Sequence, residues 1–226
     1  AASIGRPDLE GKPYKSSGAP MTWNGSLSKE LPEHFMVEKL ENICKIKGGK
    51  RLPAGSCLIS EITSHPYIKV ADLSKCKYTI LNSKFEFLSD EVHRKISRYT
   101  VKKGDLIISI VGTVGLVGII DDSLNLANLT ENCAKITDIK KITTDYLYYF
   151  FNSPTGKNEI EMKVVGGVQG KLPLYNISSF NIIIPTDDLL KRFSNFIDKL
   201  NLKQTSHLRE NVLLENLRRT LLSKMT

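Results

Sequence analysis

Residues 187–226 read DDLLKRFSNFIDKLNLKQTSHLRENVLLENLRRTLLSKMT, and this stretch decides how the whole chain is organised. It contains neither proline nor glycine, and Pro185 stands two residues before its start. As a single α-helix it would be about 60 Å long, at roughly 1.5 Å per residue. That is longer than a domain in a chain of 226 residues needs to close its own core. We therefore predict a helix that spaces or pairs the parts of a larger assembly.

The apolar residues of this helix do not form one continuous seam. Steps of four and three residues give Phe193, Ile197, Leu200, Gln204, His207, Asn211, Leu214, Arg218 and Leu221. This seam is polar in its middle, whereas a two-stranded coiled coil keeps such positions apolar. A neighbouring stripe consists of Leu208, Val212, Leu213 and Leu217. The apolar surface therefore drifts around the helix, which can then contact more than one partner.

We select as the candidate partner interface Phe193, Ile197, Leu200, Leu214, Leu217 and Leu221. The alternative is a helix that folds back on its own domain, with a break near residues 201–203.

The charge of the chain favours an anionic partner. The net charge is +8 and the isoelectric point is near 9.2, which favours nucleic acid before a membrane surface. The alternative is a basic protein without a polyanionic partner. The hydrophobic content of 41% and charged content of 25% are ordinary for a globular protein. No apolar run approaches the roughly 18 residues of a membrane span, and the first residues lack the apolar core of a signal peptide. We expect a cytoplasmic protein with no membrane partner.

The sequence offers no catalytic or cofactor motif. It lacks a P-loop, a dinucleotide fingerprint, H-E-x-x-H, G-x-S-x-G, a nuclease carboxylate cluster and methyltransferase motifs. Its four histidines are isolated from one another in the sequence. Cys44, Cys57, Cys76 and Cys133 are scattered without C-x-x-C spacing, which indicates reduced thiols rather than a metal site or a disulfide framework. We expect a non-catalytic protein without cofactor or metal.

The chain before the helix divides into two parts. Residues 1–34 are rich in Gly, Pro, Ser and charge, which predicts an extended leader. Residues 35–186 carry the β-branched and aromatic bias of strands, with a predicted helix at 143–152 and a glycine-bearing loop at 164–175. The strands are predicted at 43–46, 66–70, 78–81, 106–111, 116–120, 133–137 and 180–184. We predict an irregular α+β domain with a mixed or mostly antiparallel sheet, followed by the long C-terminal helix at 187–226.

Several stretches, in their order along the chain, resemble one family. They are GKPYKSSGAPMTWNGSLSKELPEHF (11–35), PYIKVADL (66–73), VKKGDLIISIVGTVG (101–115), DYLYYFFNS (145–153), GGVQGKLPLYNISSFNIIIP (166–185) and the helix after them. The set covers most of the chain and resembles the specificity (S) subunits of type I restriction–modification systems. Such subunits usually carry two target recognition domains, each followed by a long helix, and the two helices pack antiparallel.

This chain has one such unit, about half of a typical S subunit. It resembles either a half-size subunit that dimerises or the second half of a full one, and residues 11–35 favour the second half because they look like the connector into a second recognition domain.

The resemblance implies recognition without catalysis. The target recognition domain at 35–186 would grip one half of a bipartite site on double-stranded DNA. The helix would act as a ruler to the other half, pairing with a second S half or a second copy and docking methyltransferase (M) subunits. The restriction (R) subunit would join through the methyltransferase. Side chains at base edges would give specificity, and Lys and Arg contacts to phosphates would set register and salt dependence.

The candidate DNA-binding residues follow from the basic side chains and from the resemblance. Lys47, Lys50 and Arg51 belong to a basic glycine-rich loop, of a kind that the family places near DNA; the alternative is a solvated turn. Gln169 and Lys171 match the family's glycine–Gln loop, and Gln can pair bidentately with adenine; the alternative for Gln169 is a role in positioning the backbone. The remaining candidates are Lys69, Arg94, Lys95, Arg98 and Lys163.

Two other functional hypotheses stay open beside DNA recognition. One is an assembly module whose domain no longer reads DNA and whose helix only docks proteins. The other is a stand-alone enzyme, which no motif in the sequence supports.

Overall fold

The computed structural model describes residues 20–73, 76–167 and 169–224. Its strands are β1 (Met21–Asn24), β2 (Lys29–Pro32), β3 (Met36–Lys39), β4 (Lys45–Gly48), β5 (Pro66–Ile68), β6 (Tyr78–Thr79), β7 (Glu86–Phe87), β8 (Leu106–Ser109), β9 (Val117–Ile120), β10 (Asn128–Leu129), β11 (Cys133–Thr137) and β12 (Asn181–Ile184). Its α-helices are α1 (Leu40–Ile43), α2 (Asp90–Ile96), α3 (Thr144–Asn152), α4 (Pro154–Lys163), α5 (Leu174–Ser178) and α6 (Asp187–Ser223).

A five-stranded sheet with the order β4-β11-β8-β9-β6 forms the centre of the domain. Its neighbouring strands are antiparallel except for β9 and β6, which are parallel. Strand β8 is buried on both faces, which explains its continuous apolar sequence. Leu106 and Ile108 join the core on the helical side, whereas Ile107 joins the core on the other side. The predicted α+β class with a mixed, mostly antiparallel sheet and a long C-terminal helix is confirmed.

Helices cover the first face of this sheet. The hydroxyl of Thr143 caps α3 by accepting a hydrogen bond of 3.2 Å from the backbone N–H of Tyr146. Helix α3 then buries Leu147 and Phe151. The ring of Phe151 lies edge-on to that of Phe180, with centroids 5.4 Å apart. This aromatic contact ties α3 to the residue before β12 and closes the main core.

The second face is covered by a three-stranded sheet with the order β10-β5-β7. Ile68 of β5 and Leu129 of β10 share a buried cluster with Ile107 of the central sheet. Helix α2 lies at the margin of this layer, and the buried side-chain amide of Asn128 donates a 2.9 Å hydrogen bond to the carbonyl of Ile96 at its end. The turn that follows α2 is thereby held beside β10.

The expectation of an extended leader at residues 1–34 is wrong for residues 20–34. Strands β1 and β2 pair in register as an antiparallel hairpin, with Met21 opposite Pro32. Leu31 is buried, whereas Trp23 stays largely exposed. The turn between the strands begins at Asn24-Gly25, a dipeptide typical of hairpin turns. The Gly- and Ser-rich composition around it favoured an extended leader instead. Residues 1–19 of the predicted leader lie outside the described residues.

Four short α-helices were not predicted, and the first of them, α1, ends at Ile43, where the sequence predicted the start of a strand. Helix α2 lies in the mixed-polarity stretch of residues 84–100, α4 follows α3 directly, and α5 begins inside the predicted loop of residues 164–175. Ser153 explains the junction of α3 and α4. Its hydroxyl donates to the carbonyl of Phe150 at 2.7 Å and accepts from the N–H of Gly156 at 3.1 Å, so it ends one helix and caps the next.

Helix α6 is continuous over 37 residues, about 55 Å, with no break at residues 201–203. Its first half packs on its own domain, where Leu190 and Ile197 are buried. The ring of Phe193 lies edge-on to Tyr146 and Tyr149 at centroid distances of 5.9 and 6.0 Å. The second half differs, because Leu213, Leu214, Leu217 and Leu221 are each more than half exposed. The helix therefore has a domain-bound first half and a more exposed second half.

Polar contacts fix the domain-bound half of α6. Lys77 is only 2% exposed and forms an ion pair with Asp145. The side chain of Asn201 on α6 accepts a hydrogen bond from the Lys77 ammonium group and donates one of 3.1 Å to Asp145. Further along, Arg209 pairs with Asp121 at 3.2 Å. The polar middle of the predicted seam thus begins at Gln204, on the stretch between Asn201 and Arg209 where α6 binds its own domain. No helix among residues 20–73, 76–167 and 169–224 combines the length and hydropathy of a membrane span.

Candidate nucleic-acid interface

The loop that follows β4 approaches the turn between β10 and β11 very closely. A Cβ atom on Gly49 would lie 2.0 Å from the carbonyl oxygen of Thr130, so only glycine fits there. The next residue, Lys50, donates its backbone N–H to the carbonyl of Leu129 at 2.8 Å. The hydroxyl of Tyr67 donates to the carbonyl of Lys50 at 2.9 Å. Burial raises the pKa of the Tyr67 hydroxyl, which keeps it a neutral donor. The loop is therefore held on one side by the turn between β10 and β11 and on the other by Tyr67 of β5.

Basic side chains gather around the turn that follows α2. The ammonium group of Lys50 lies 5.7 Å from the ring centre of Tyr99 in that turn. Arg98, the residue before Tyr99, is exposed. The ammonium group of Lys135 donates a hydrogen bond to the carbonyl of Thr100, the residue after Tyr99. Strand pairing places Lys47 directly opposite Lys135.

Like charges crowd this surface. Burial lowers the pKa of Lys135, the carboxylates of Asp105 and Asp138 act in the opposite direction, and the positive charges of Lys47 and Lys102 lower this pKa further. A polyanion bound here would relieve the repulsion between these ammonium groups. We call Lys47, Lys50, Arg98, Lys102 and Lys135 the basic ridge.

Arg51 lies beside the basic ridge and has a carboxylate partner. Its Nε donates to Oε1 of Glu131 at 2.8 Å, although the Arg51 side chain is 81% exposed. The other oxygen of Glu131 accepts a hydrogen bond of 3.0 Å from the Thr130 hydroxyl. Burial tends to raise the pKa of Glu131, but the hydrogen bonds from Arg51, its own backbone and Thr130 leave this pKa below its usual value.

The predicted glycine–Gln loop reaches the same rim of the domain. Lys171 is bridged to Val111, and the backbone N–H groups of Ile110 and Val111 both donate to the carbonyl of Asn132. Asn132 directly follows Glu131, the partner of Arg51. Gln169 is exposed in the same loop, whose tight turn has Gly166 at a φ of 98°. The structure therefore connects Lys171 to Arg51 through a short chain of contacts.

Other predicted DNA-binding residues form ion pairs within the chain. Lys69 forms an ion pair with Glu86, although it lines an open crevice of about 410 Å³ together with Arg51 and Tyr67. Lys95 pairs with Glu91 at 2.7 Å one turn away on α2.

Arg94 and Lys163 are also engaged. On exposed α2, Nε of Arg94 donates to the carbonyl of Asp90 at 3.3 Å. Lys163 is half-buried, donates to the Ser179 hydroxyl at 3.0 Å, and lies 5.5 Å from the ring centre of Phe180. The position of Lys163 indicates a packing role instead of a surface contact.

The six predicted partner-interface residues separate into two groups. Ile197 is 5% exposed, and the ring of Phe193 lies edge-on to two tyrosines, so both side chains pack on the domain of the chain itself. Leu200, Leu214, Leu217 and Leu221 are exposed. We call Leu214, Leu217 and Leu221 the free leucine face of α6.

Sequence reasoning missed Tyr99, Lys102 and Lys135 as members of the candidate interface. Lys102 was visible inside the VKKGD turn, but nothing local marked it as different from other surface lysines. Lys135 joins only because β11 pairs with β4 across a long stretch of chain.

The sequence profile of the type I restriction modification DNA specificity domain matches residues 32–212, more than half of the chain. The chain belongs to this family. Every residue of the basic ridge, Arg51 and Lys171 lie inside the matched range of the DNA specificity domain, whereas the free leucine face lies just beyond it. Among curated proteins, none matches this sequence.

Solved structures share the fold of this DNA specificity domain. One was solved in work on "complex assembly and conformational transition of the type I R-M system". It has a TM-score of 0.59 and 14% identity, and the match covers 89% of this chain and 46% of that chain. Another is the HsdS subunit from Thermoanaerobacter tengcongensis, with a TM-score of 0.55 and 15% identity, covering 84% of this chain and 42% of that one. The chain thus spans less than half the length of these two relatives. At such identities the likeness concerns the fold.

Proposed function

We propose that this chain is the sequence-specific DNA recognition part of a type I restriction–modification complex and reads one half of a bipartite site. The observation that carries the proposal is the basic ridge, where the positive charges of Lys47 and Lys102 act on Lys135 beside a rigid, glycine-dependent loop. Residues 35–186 are the target recognition domain in this proposal, and residues 187–226 are its spacer. The membership of the DNA specificity family supports it.

The proposed mechanism separates affinity from base readout. Lysines of the basic ridge neutralise phosphates and release counterions, which fixes the register of the domain on the duplex. Arg51, Gln169 and Lys171 have exposed side chains beside the ridge, and they reach base edges in the major groove. The chain supplies no group that reacts with DNA. Methylation and cleavage belong to partner subunits that work in the cytoplasm on the bound site.

The long helix has two partners in this proposal. It measures the distance to the other half of the DNA site, which is read by a second S half or a second copy of this chain. The exposed second half of the helix docks that partner and the methyltransferase subunits, and the restriction subunit joins through them. The exposed Leu214, Leu217 and Leu221 support this assignment, because such contiguous apolar surface on a helix marks an interaction site.

An assembly module without DNA readout is the second candidate function. Arg51, Lys69 and Lys95 each have an acidic partner inside the chain, and this reduces the positive charge that DNA would meet. The basic ridge favours DNA recognition, since Lys47, Lys50 and Lys102 are exposed.

Binding of duplex DNA tests the proposal directly. We expect the purified chain to bind a 30-base-pair duplex at low salt, with an affinity that falls steeply between 50 and 200 mM salt because phosphate contacts release counterions. Fluorescence anisotropy at several salt concentrations measures the slope. Adding a methyltransferase subunit should strengthen binding, and salt-insensitive binding, or no binding in the assembled complex, would contradict DNA recognition.

A separate prediction concerns the free leucine face. Replacing Leu214, Leu217 and Leu221 together by serine is expected to abolish pairing of the chain through α6, because three exposed apolar side chains are lost from one face. Mass measurement in solution by light scattering reports the change. Replacing Lys191, Lys199 and Lys203 by serine in the same helix is the matched control. If the leucine variant associates like the original chain, this face is not the pairing surface.

A further inference from the structure

The pair of Arg51 and Glu131 has an arrangement that simple charge compensation does not require. Only Nε of Arg51 touches the carboxylate, at 2.8 Å, and the side chain is otherwise exposed to solvent. Among the described residues, neither Nη atom of Arg51 has an acceptor. The guanidinium group therefore presents two parallel N–H donors outward while its third side is held.

The carboxylate itself is fixed in position. The hydroxyl of Thr130 donates to Oε2 of Glu131 at 3.0 Å, so both carboxylate oxygens are engaged by different partners. The turn that carries Glu131 is the same turn that Gly49 and Lys50 contact through their backbones. Arg51 and its partner consequently stand on one rigid unit, and the direction of the guanidinium group is set before any ligand arrives.

From this geometry we infer that Arg51 is a specificity-determining residue that reads a guanine in the major groove, and that Glu131 is the positioning residue that aims it. Guanine presents O6 and N7 as two adjacent acceptors, which match the two outward Nη donors of an arginine. The inference rests on the proposed DNA recognition and deepens it by naming the base and the residue that selects it.

A phosphate contact fits Arg51 less well than a base edge does. The negative carboxylate of Glu131 lies in contact with the guanidinium group, so it repels a phosphate approaching the same side chain. The edge of a guanine carries no net charge, and its hydrogen bonds with Arg51 depend on direction. Holding the side chain in advance lowers the entropy lost on binding. Lys50, the adjacent residue, has no acidic partner among the described side chains and remains suited to phosphate.

Selection from a randomised duplex library tests this division of labour. The full chain is incubated with the library at low salt, and the bound duplexes are sequenced to give the base preference at each position. The variants are Arg51→Ala, Arg51→Lys and Glu131→Gln, with Lys50→Ala as the matched control from the same loop. Thermal unfolding of each variant establishes that it is folded.

Arg51→Ala is expected to lose about tenfold to hundredfold discrimination in favour of guanine at one position, with the other positions unchanged. Arg51→Lys loses most of it as well, because a lysine cannot form the paired hydrogen bonds. Glu131→Gln weakens the preference at that same position without weakening binding to unrelated sequences, since it removes a negative charge. Lys50→Ala lowers affinity for all sequences alike and reduces the salt dependence by about one phosphate contact.

Two results would overturn the inference while DNA recognition stands. One is a uniform loss of affinity in Arg51→Ala with every base preference retained, which would make Arg51 a phosphate contact. The other is an unchanged preference in Glu131→Gln, which would remove Glu131 from the readout. A failure of the original chain to select any sequence would instead contradict the proposed function itself, and the inference falls with it.

Discussion

Replacing Asp145 by alanine is expected to lower the free energy of unfolding by about 3 kcal/mol. The substitution removes the carboxylate that pairs with Lys77, a side chain that is only 2% exposed and keeps the Asn201 side-chain oxygen as a hydrogen-bond acceptor. The rings of Tyr78, Tyr148 and Tyr149 lie 4.9 to 5.7 Å from its ammonium group, and their faces do not replace the charge of the lost carboxylate. The value lies at the lower end for a broken buried pair because the Asp145 side chain is still 21% exposed.

Urea denaturation followed by circular dichroism measures this loss. The double variant Lys77→Met with Asp145→Leu is the control, because it removes both charges and fills the site with apolar atoms. We expect it to be at least ~1 kcal/mol more stable than Asp145→Ala. A double variant less stable than the single one would show that the pair itself, and not the unpaired charge, determines the loss.

Replacing Lys47, Lys50 and Lys102 together by alanine is expected to weaken binding to duplex DNA by roughly 10²- to 10³-fold at about 0.1 M salt. These exposed side chains belong to the basic ridge, and each is assigned one phosphate. Their loss should reduce the slope of log affinity against log salt by about three phosphate contacts. Because Arg51 and Gln169 stay in place, the base preference of the remaining binding should not change.

Anisotropy titrations at four salt concentrations provide both quantities. The matched control replaces Lys191, Lys199 and Lys203 on α6 by alanine, an equal loss of charge away from the ridge. If both triple variants lose affinity to the same degree, net charge governs binding and the basic ridge has no special role. If neither loses affinity, the assembly module without DNA readout becomes the better account.

The features that the sequence predicts well are those that a short window of residues determines. The uninterrupted pattern of residues 187–226 predicts α6, and the apolar runs predict β8 and β9, whose burial on both faces gives them no alternation. The cap of α3 at Thr143 is likewise a local signal. The family resemblance, now confirmed by the profile match, depends on such stretches in their order.

The features that escaped prediction depend on residues far apart in the chain. The Lys77 and Asn201 side chains meet across 124 positions, and no periodicity in either segment indicates this contact. The sequence pattern places Ile197 among the residues that face a partner, but the structure buries it where α6 packs on its own domain. The same holds for the basic ridge, which forms only when strand pairing brings Lys47 and Lys135 together. The short helices α2, α4 and α5 carry too few residues for a clear apolar period.

The attachment of α6 to its domain has a consequence for the exchange of modules between proteins. A chimera joined at residue 186 would separate Lys77 and Asp145 from Asn201, and Asp121 from Arg209. A foreign helix would then have to supply matching polar groups at the same depth along its axis. A junction after Arg209 keeps these contacts within one parent. A module exchanged between such proteins should therefore contain the domain together with the first half of its helix. The junction between the parent sequences then lies in the middle of α6.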